Sequence, residues 1–202
     1  ACFLFIIPIG VFFTMVKGWM LVPLLVLATL LIVLYTPVIL KMGYPEWSPG
    51  LGLGILPVMG AYFVHTGQYT GSAFIASMPS FFLVHNLLLL NEFPDAEADV
   101  TVKRRTLPIV LGKKRAALVF SLFTLLTYVW IAWAAAAGRM PVFALLAFLT
   151  LPIAFQAIRG AYRYDDMEVF MPAMMKNVLL VLSTQALLAV GYILGGIFPG
   201  QR

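Results

Sequence analysis

The residues with the clearest chemical potential fall between 91 and 112, where four acids, Glu92, Asp95, Glu97 and Asp99, precede three consecutive bases, Lys103, Arg104 and Arg105. On a helical backbone Asn91, Asp95 and Asp99 lie four apart and share a face. Like charges at that spacing repel unless a cation sits between them. Carboxylates with carbonyl oxygens and water form the ligand set of Mg²⁺, an ion that keeps several waters and is completed by substrate phosphates. The three bases would then grip the outer phosphate oxygens. The same residues also suit a solvated loop whose acids and bases pair while the bases enforce topology. Spacing alone leaves both readings open. Pro94 removes one helical hydrogen bond, which predicts a kink between Asn91 and Asp95.

The elements that must position this stretch follow from composition. The chain has 202 residues, 62% of them hydrophobic and 10% charged, with a mean hydropathy of +1.00. Such a chain hides its side chains from water only by facing lipid, which excludes an ordinary soluble domain and predicts an all-α, polytopic membrane bundle. Long apolar runs broken by charge, Pro or Gly predict helices near 1–16, 19–40, 50–67, 71–91, 115–137, 140–158 and 172–198. Seven transmembrane helices are therefore expected. Residues 1–202 read as one domain, without an internal repeat or a long linker. The single cysteine, Cys2, excludes an intrachain disulfide framework and a Cys-based metal cluster. The chain opens Ala1-Cys2-Phe3, with neither an initiator Met nor the basic flank of a signal peptide, and its first run is short for a crossing. It reads as a truncated start.

Alternating the loops across a bilayer sorts the charges. One face receives Lys41, Lys103, Arg104, Arg105, Lys113, Lys114, Arg115, Arg159, Arg163 and Lys176; the other receives Lys17, Arg139 and Arg202. This bias predicts that the first face is cytoplasmic. All eight carboxylates fall on it too, Glu46, Asp165, Asp166 and Glu168 included. The net charge of +5 thus reads as an orientation signal plus a local site, and polar chemistry belongs to the cytoplasmic face.

Other polar residues carry less. His65 and His85 sit in apolar runs, where a lone His is commonly a hydrogen-bonded core group. His85 lies seven before Glu92 and so shares a face with it, which makes His85 the better candidate of the two for an acceptor site; Asn86 lines the same cavity or bonds a neighbouring helix. Tyr35, Tyr44, Trp47 and Phe93 are candidates for an aromatic wall, although belts at membrane interfaces give the same pattern. Gly50, Gly52, Gly54 and Gly60 suit close helix packing better than a phosphate cradle. Asp165, Asp166 and Glu168 form a second acidic cluster, readable as a solvated loop or as a closing element.

The stretch Asn91 to Asp99 followed by Arg104-Arg105-Thr106-Leu107 and Leu111-Gly112 resembles the second aspartate motif of the UbiA superfamily of membrane prenyltransferases, N-D-x-x-D-x-x-x-D with K-R-T-L-x-x-x-L-G. Residues 34–37, 50–54 and 60–67 are similar to the third-to-fifth-helix region of its menaquinone-type branch, and Lys176 to Val181 with Gly191 to Leu194 fits its last helix. Three positions depart from the pattern: Glu92 stands for Asp or Asn, and Val100 and Lys103 stand for the commoner basic residue and Gly. Members have nine helices and two cytoplasmic aspartate motifs, so the resemblance implies that this chain holds the last seven helices without the first motif.

The resemblance further implies transfer of a polyprenyl group from an allylic diphosphate to an electron-rich acceptor, usually aromatic, with Mg²⁺ as Lewis acid and clamp. It implies Asp95 and Asp99 as metal ligands with Asn91 or Glu92 assisting. Arg104 and Arg105 are implied as diphosphate contacts, with Lys103 beside them, and the bilayer as the setting for the polyprenyl tail. The menaquinone-like stretch favours a quinone-precursor acceptor, whereas other branches alkylate lipid alcohols or porphyrins. Among rivals, a CDP-alcohol phosphotransferase lacks its D-G-x-x-A-R stretch here. A transporter or channel would place ionisable residues near the midplane, whereas here Asp, Glu, Lys and Arg sit at helix ends.

Overall fold

The computed structural model describes residues 2–198 and is helical throughout, without a strand among those residues. Ala1 and residues 199–202, including the Arg202 assigned above to the sparsely charged face, lie outside it. Helix α1 (Cys2–Lys17) stops at Gly18, whose φ of 99° belongs to the region that glycine adopts without a Cβ clash. A single 3₁₀ turn, Trp19–Leu21, leads into α2 (Val22–Tyr35), where Pro23 occupies the first turn and forfeits no helical bond.

The apolar run expected to span 19–40 ends as a helix at Tyr35. Thr36 keeps helical dihedrals, but Pro37 has no N–H with which to extend the ladder, and only a 3₁₀ turn, Ile39–Lys41, follows. Fourteen residues rise about 21 Å, short of a hydrocarbon core of about 30 Å. Among the described residues five helices are long and apolar enough to cross a membrane: α3 (Trp47–Thr66), α4 (Gly71–Thr101), α6 (Lys113–Ala136), α7 (Val142–Ala161) and α8 (Met167–Ile197). The two leading segments of the seven expected, Ile7–Lys17 and Trp19–Tyr35, are apolar but shorter. A one-turn helix, α5 (Leu107–Leu111), separates α4 from α6.

Helix α4 is the centre of the bundle and packs against α3, α6 and α8. Thr70 caps it, its hydroxyl accepting from Ala73 N at 3.2 Å. The helix was expected to end near residue 91, yet it runs through Pro79 and Pro94 to Thr101. Its neighbours hold the backbone around each proline, and its 31 residues rise about 46 Å. The acidic stretch is consequently helix, projecting some 16 Å past the thickness of a hydrocarbon core.

Close approach sets the neighbouring helices. The stretch Gly50–Ile55 of α3 is a π-helical turn, and a Cβ on Gly54 would meet backbone atoms of Phe81 and Ser80 at 2.7–2.9 Å. Gly50 is similarly tight against Phe81, whereas Gly52 and Gly60 meet only leucine side chains at ordinary distances. The first half of α7, Val142–Thr150, is 3₁₀ and receives Gly191 of α8, whose Cβ would fall 2.5 Å from Phe143 O. The junction's hydroxyls are satisfied locally, with Thr150 Oγ1 donating to Ala147 O and bonding Tyr128 and Thr184. Near the charged end the core is Leu89, Leu90, Phe93, Ala116, Phe120, Ala157 and Phe170. Phe93, a wall candidate by sequence, is a core residue tilted against Phe170 at 5.4 Å between centroids.

Candidate active site

Seven-residue spacing on α4 aligns His85, Glu92 and Asp99 on one face, and all three are buried. Of the stripe Asn91, Asp95 and Asp99, only Asp99 turns inward; Asn91 and Asp95 are exposed. Asp99 also ends the helix. Its carbonyl accepts from Val102 N at 3.2 Å and Arg104 N at 3.0 Å, and its carboxylate Oδ1 accepts from Arg104 Nη1 at 2.9 Å. That wrapping needs a left-handed residue at 103, and Lys103 supplies it at φ 60°, alone in positive φ among the described non-glycine residues. A position where glycine is commoner in the family pattern is thus one where a side chain is strained.

Two tethers fix the basic turn to the segment after α2. Arg105 N donates to Leu40 O at 2.8 Å, and Leu107 N donates to Glu46 Oε1 at 2.7 Å. Glu46 is fully buried, and its carboxyl lies against that of Glu92. Oε2 of each acid receives no donor from elsewhere among the described residues. Burial pushes the Glu46 carboxyl above the ordinary carboxylate range, opposed by its bonds to Glu92 and to Leu107 N.

A second chain of polar groups runs inward from Tyr44. Asn86 Nδ2 donates to Phe120 O and Thr124 Oγ1, leaving Oδ1 as the acceptor for His85 Nδ1 at 3.2 Å. His85 Nε2 therefore accepts the Tyr44 hydroxyl at 2.9 Å. The imidazole is fully buried and stacks on Phe123 at 4.1 Å between centroids. Tyr44 keeps an exposed edge, and burial of the rest together with the nearby Glu46 charge pushes its hydroxyl up to about 12. It is a neutral donor at ordinary pH.

The sequence-expected residues divide accordingly. Asp99 and Arg104 meet directly, Glu92 lies about two turns down the same face, and Asp95 stands exposed between them. Lys103 and Arg104, with Lys41, Thr36, Pro37, Leu40 and Val102, line a concavity of about 370 Å³. Arg105 runs exposed beside Gly43. Tyr35, half-buried at the end of α2, lies within the field of Glu92, Glu46, Arg104 and Asp99. His85 and Asn86 join the site through Tyr44. Trp47 packs with Leu31, Ile39 and Leu56. His65 lies on α3 beside Arg139, away from these groups. Asp166 caps α8, accepting from Glu168 N at 3.1 Å, with Asp165 and Glu168 exposed alongside.

Glu46 was absent from the sequence-expected site. The available signal was a lone acid between Pro45 and Trp47 in a 20-residue stretch, Thr36 to Ile55, otherwise charged only at Lys41.

No three of His, Cys, Asp and Glu among the described residues converge as a preformed metal cage. The donors are nevertheless all oxygen, and the buried Glu92 Oε2 has no hydrogen-bond donor. That set fits a hard divalent cation held by one or two carboxylates and completed by water and phosphate.

The 1,4-dihydroxy-2-naphthoate octaprenyltransferase of Bacillus subtilis (strain 168) is 26% identical over 174 residues, covering 85% of this chain and 56% of that protein. The chain thus spans about half the length of the curated relative it matches. No solved structure matches it. The UbiA prenyltransferase family matches residues 1–180, through the helical turn that carries Asp95 and Asp99 and on into α8. By that match, over most of its length, the chain belongs to the UbiA prenyltransferase family.

Proposed function

We propose that the full-length protein transfers a polyprenyl group from an allylic diphosphate to an aromatic quinone precursor, with its charged loops at the cytoplasmic face of the membrane. The observation that carries this reading is the Asp99–Arg104 pair at the end of α4, with Asp95 exposed one turn before it and Lys103 and Lys41 beside it. Acids and bases adjoin here at the mouth of an apolar bundle. The name of the Bacillus subtilis relative supports a dihydroxynaphthoate as acceptor and an isoprenoid chain as donor.

The chain's residues divide the work. Arg104 and Arg105 offer guanidinium donors to the outer diphosphate oxygens, in a geometry that lysine does not reproduce. Lys103 and Lys41 add point charges. Breaking the allylic C–O bond puts further negative charge on the leaving diphosphate, and bases held in place by the two tethers stabilise it without rearranging. Asp95 and Asp99, assisted by Asn91 or Glu92, would hold Mg²⁺. The cation supplies Lewis acidity and neutralises diphosphate charge. Tyr44 and Tyr35 present aromatic faces to the developing allylic cation, and the His85–Asn86 chain fixes Tyr44. The polyprenyl tail lies among apolar helices that open to lipid.

The test uses full-length protein in membranes, a labelled polyprenyl diphosphate, and 1,4-dihydroxy-2-naphthoate or 4-hydroxybenzoate, with and without Mg²⁺. Mg²⁺-dependent prenylation of the naphthoate is expected. Wild-type activity in an Asp95→Ala/Asp99→Ala double variant, or no diphosphate release with either acceptor, would overturn the proposal.

A further inference from the structure

Away from that site, helices α7 and α8 enclose a concavity of about 510 Å³ whose charged lining is entirely basic. Gln156 and Arg159 of α7 and Arg163 in the turn after it repeat at spacings of three and four, which puts them on one stripe. Lys176 faces them from α8, half-buried and beyond the first two turns of that helix. The two helices are clamped where Gly160 meets Ala173, so closely that a Cβ on Gly160 would collide with the Ala173 side chain. The three cations line one concavity beside that clamp.

Among the described residues no acid forms an ion pair with them. The one ion pair among the described residues is Arg104–Asp99. Asp165, Asp166 and Glu168 are close in sequence but exposed, and none lines the concavity. The groove lies on the outer side of α8. Phe170 and Asn177 of that helix turn to α4, Phe170 packing on Phe93 and Asn177 bonding Asn86 O, whereas Val169, Ala173 and Lys176 line the groove. Topological bases need only lie in a loop; here Arg159 and Lys176 come from two packed helices and Arg163 from the turn between them, and Lys176 sits within an apolar span where its ammonium requires an anion or water.

We propose that this groove binds the phosphate of an anionic glycerophospholipid, as a site separate from the prenyl-transfer site and independent of that assignment. Arg159 and Arg163 bond the phosphate oxygens, and Lys176 closes the third side. A lipid is favoured over a soluble anion because exposed apolar residues follow the bases along both helices, Phe155 four before Arg159 on α7 and Leu179 three after Lys176 on α8. Those surfaces suit acyl chains. Basic groups at this depth also meet the negatively charged leaflet.

The experiment uses full-length detergent-solubilised protein, native mass spectrometry for retained lipid, and melting temperature on titration with phosphatidylglycerol, phosphatidylcholine, inorganic phosphate or inorganic diphosphate. Wild type is expected to retain phosphatidylglycerol and to be stabilised by it but not by phosphatidylcholine. Each base removed is expected to weaken retention about fivefold, so Arg159→Gln/Arg163→Gln falls by about 25-fold. Lys176→Gln alone falls about fivefold and guards against a double variant that fails to fold. A Lys113→Gln/Lys114→Gln control, with bases at the start of α6, keeps wild-type retention. Unchanged retention in the groove variants, or equal stabilisation by phosphatidylcholine, would overturn the proposal. So would stabilisation by phosphate or diphosphate that the same variants abolish, which would mark a soluble-anion site.

Discussion

Arg104 is bound to Asp99 twice, its backbone N–H to the aspartate carbonyl at 3.0 Å and its guanidinium to the carboxylate at 2.9 Å. One residue therefore ends the helix and sets the direction of the base that follows it. The Arg104 side chain is 46% exposed, so the ion pair itself contributes under about 1 kcal/mol to stability. Asp99→Asn and Arg104→Ala are accordingly expected to unfold near the wild-type temperature while kcat falls by about 10²–10³. Equal losses in melting temperature and rate would show that the pair serves the fold instead.

Lys103 offers a test with the opposite sign. A left-handed conformation costs a non-glycine residue about 1–2 kcal/mol, partly offset because glycine gains entropy in the unfolded chain. Lys103→Gly should therefore raise the stability of the full-length protein by up to about 1 kcal/mol, and Lys103→Val should lower it by more than that. Thermal unfolding in matched detergent reads both. A less stable Gly variant contradicts the backbone assignment.

For Glu46, an acceptor matters more than a charge. Glu46→Gln preserves the bond from Leu107 N, whereas Glu46→Ala strands that buried N–H at about 1–3 kcal/mol. The pH dependence has a definite sign. The folded-state pKa of Glu46 is raised, so its contribution is complete below the ordinary carboxylate value of 4.5 and is lost as pH rises through the folded value. Wild type should therefore lose stability relative to Glu46→Gln as pH climbs above about 4.5. Parallel melting curves for the two proteins across that range would refute it.

Packing predicts a graded glycine series. Gly54→Ala and Gly191→Ala place a methyl against backbone atoms at 2.5–2.9 Å and should each cost about 1–3 kcal/mol or more. Gly60→Ala meets only Leu24 side-chain atoms, at 3.6 Å and beyond, and should be neutral or slightly stabilising. Melting temperatures of the three variants give the order directly.

What the sequence discloses about this molecule depends on how local each feature is. Helix content and membrane character follow from apolar runs, and the acidic-basic register around Asp99 and Arg104 was readable because it is contiguous. The helix extending through Pro94 was not, since proline and four acids are local signals to stop and only the surrounding elements override them. Glu46 escaped notice for the same reason: its partner Leu107 is 61 residues away. The stripe of Asn91, Asp95 and Asp99 was counted correctly at four-residue spacing, but only packing decides that its buried neighbour is Glu92. Among the glycines, composition identified a close-packed set, and tertiary contact restricts the closest approaches within it to Gly50 and Gly54.

The π turn at Gly50–Ile55 works as a phase shifter. Inserting one residue into a helix rotates everything before it by about 100° relative to everything after. Glu46 and Trp47 sit just upstream of that turn, so their bearing around the helix axis is encoded in chain length as much as in residue identity. Shortening 50–55 by one residue would leave a regular α-helix and the same side chains, yet swing Glu46 away from Leu107 and release the turn that carries Arg104 and Arg105.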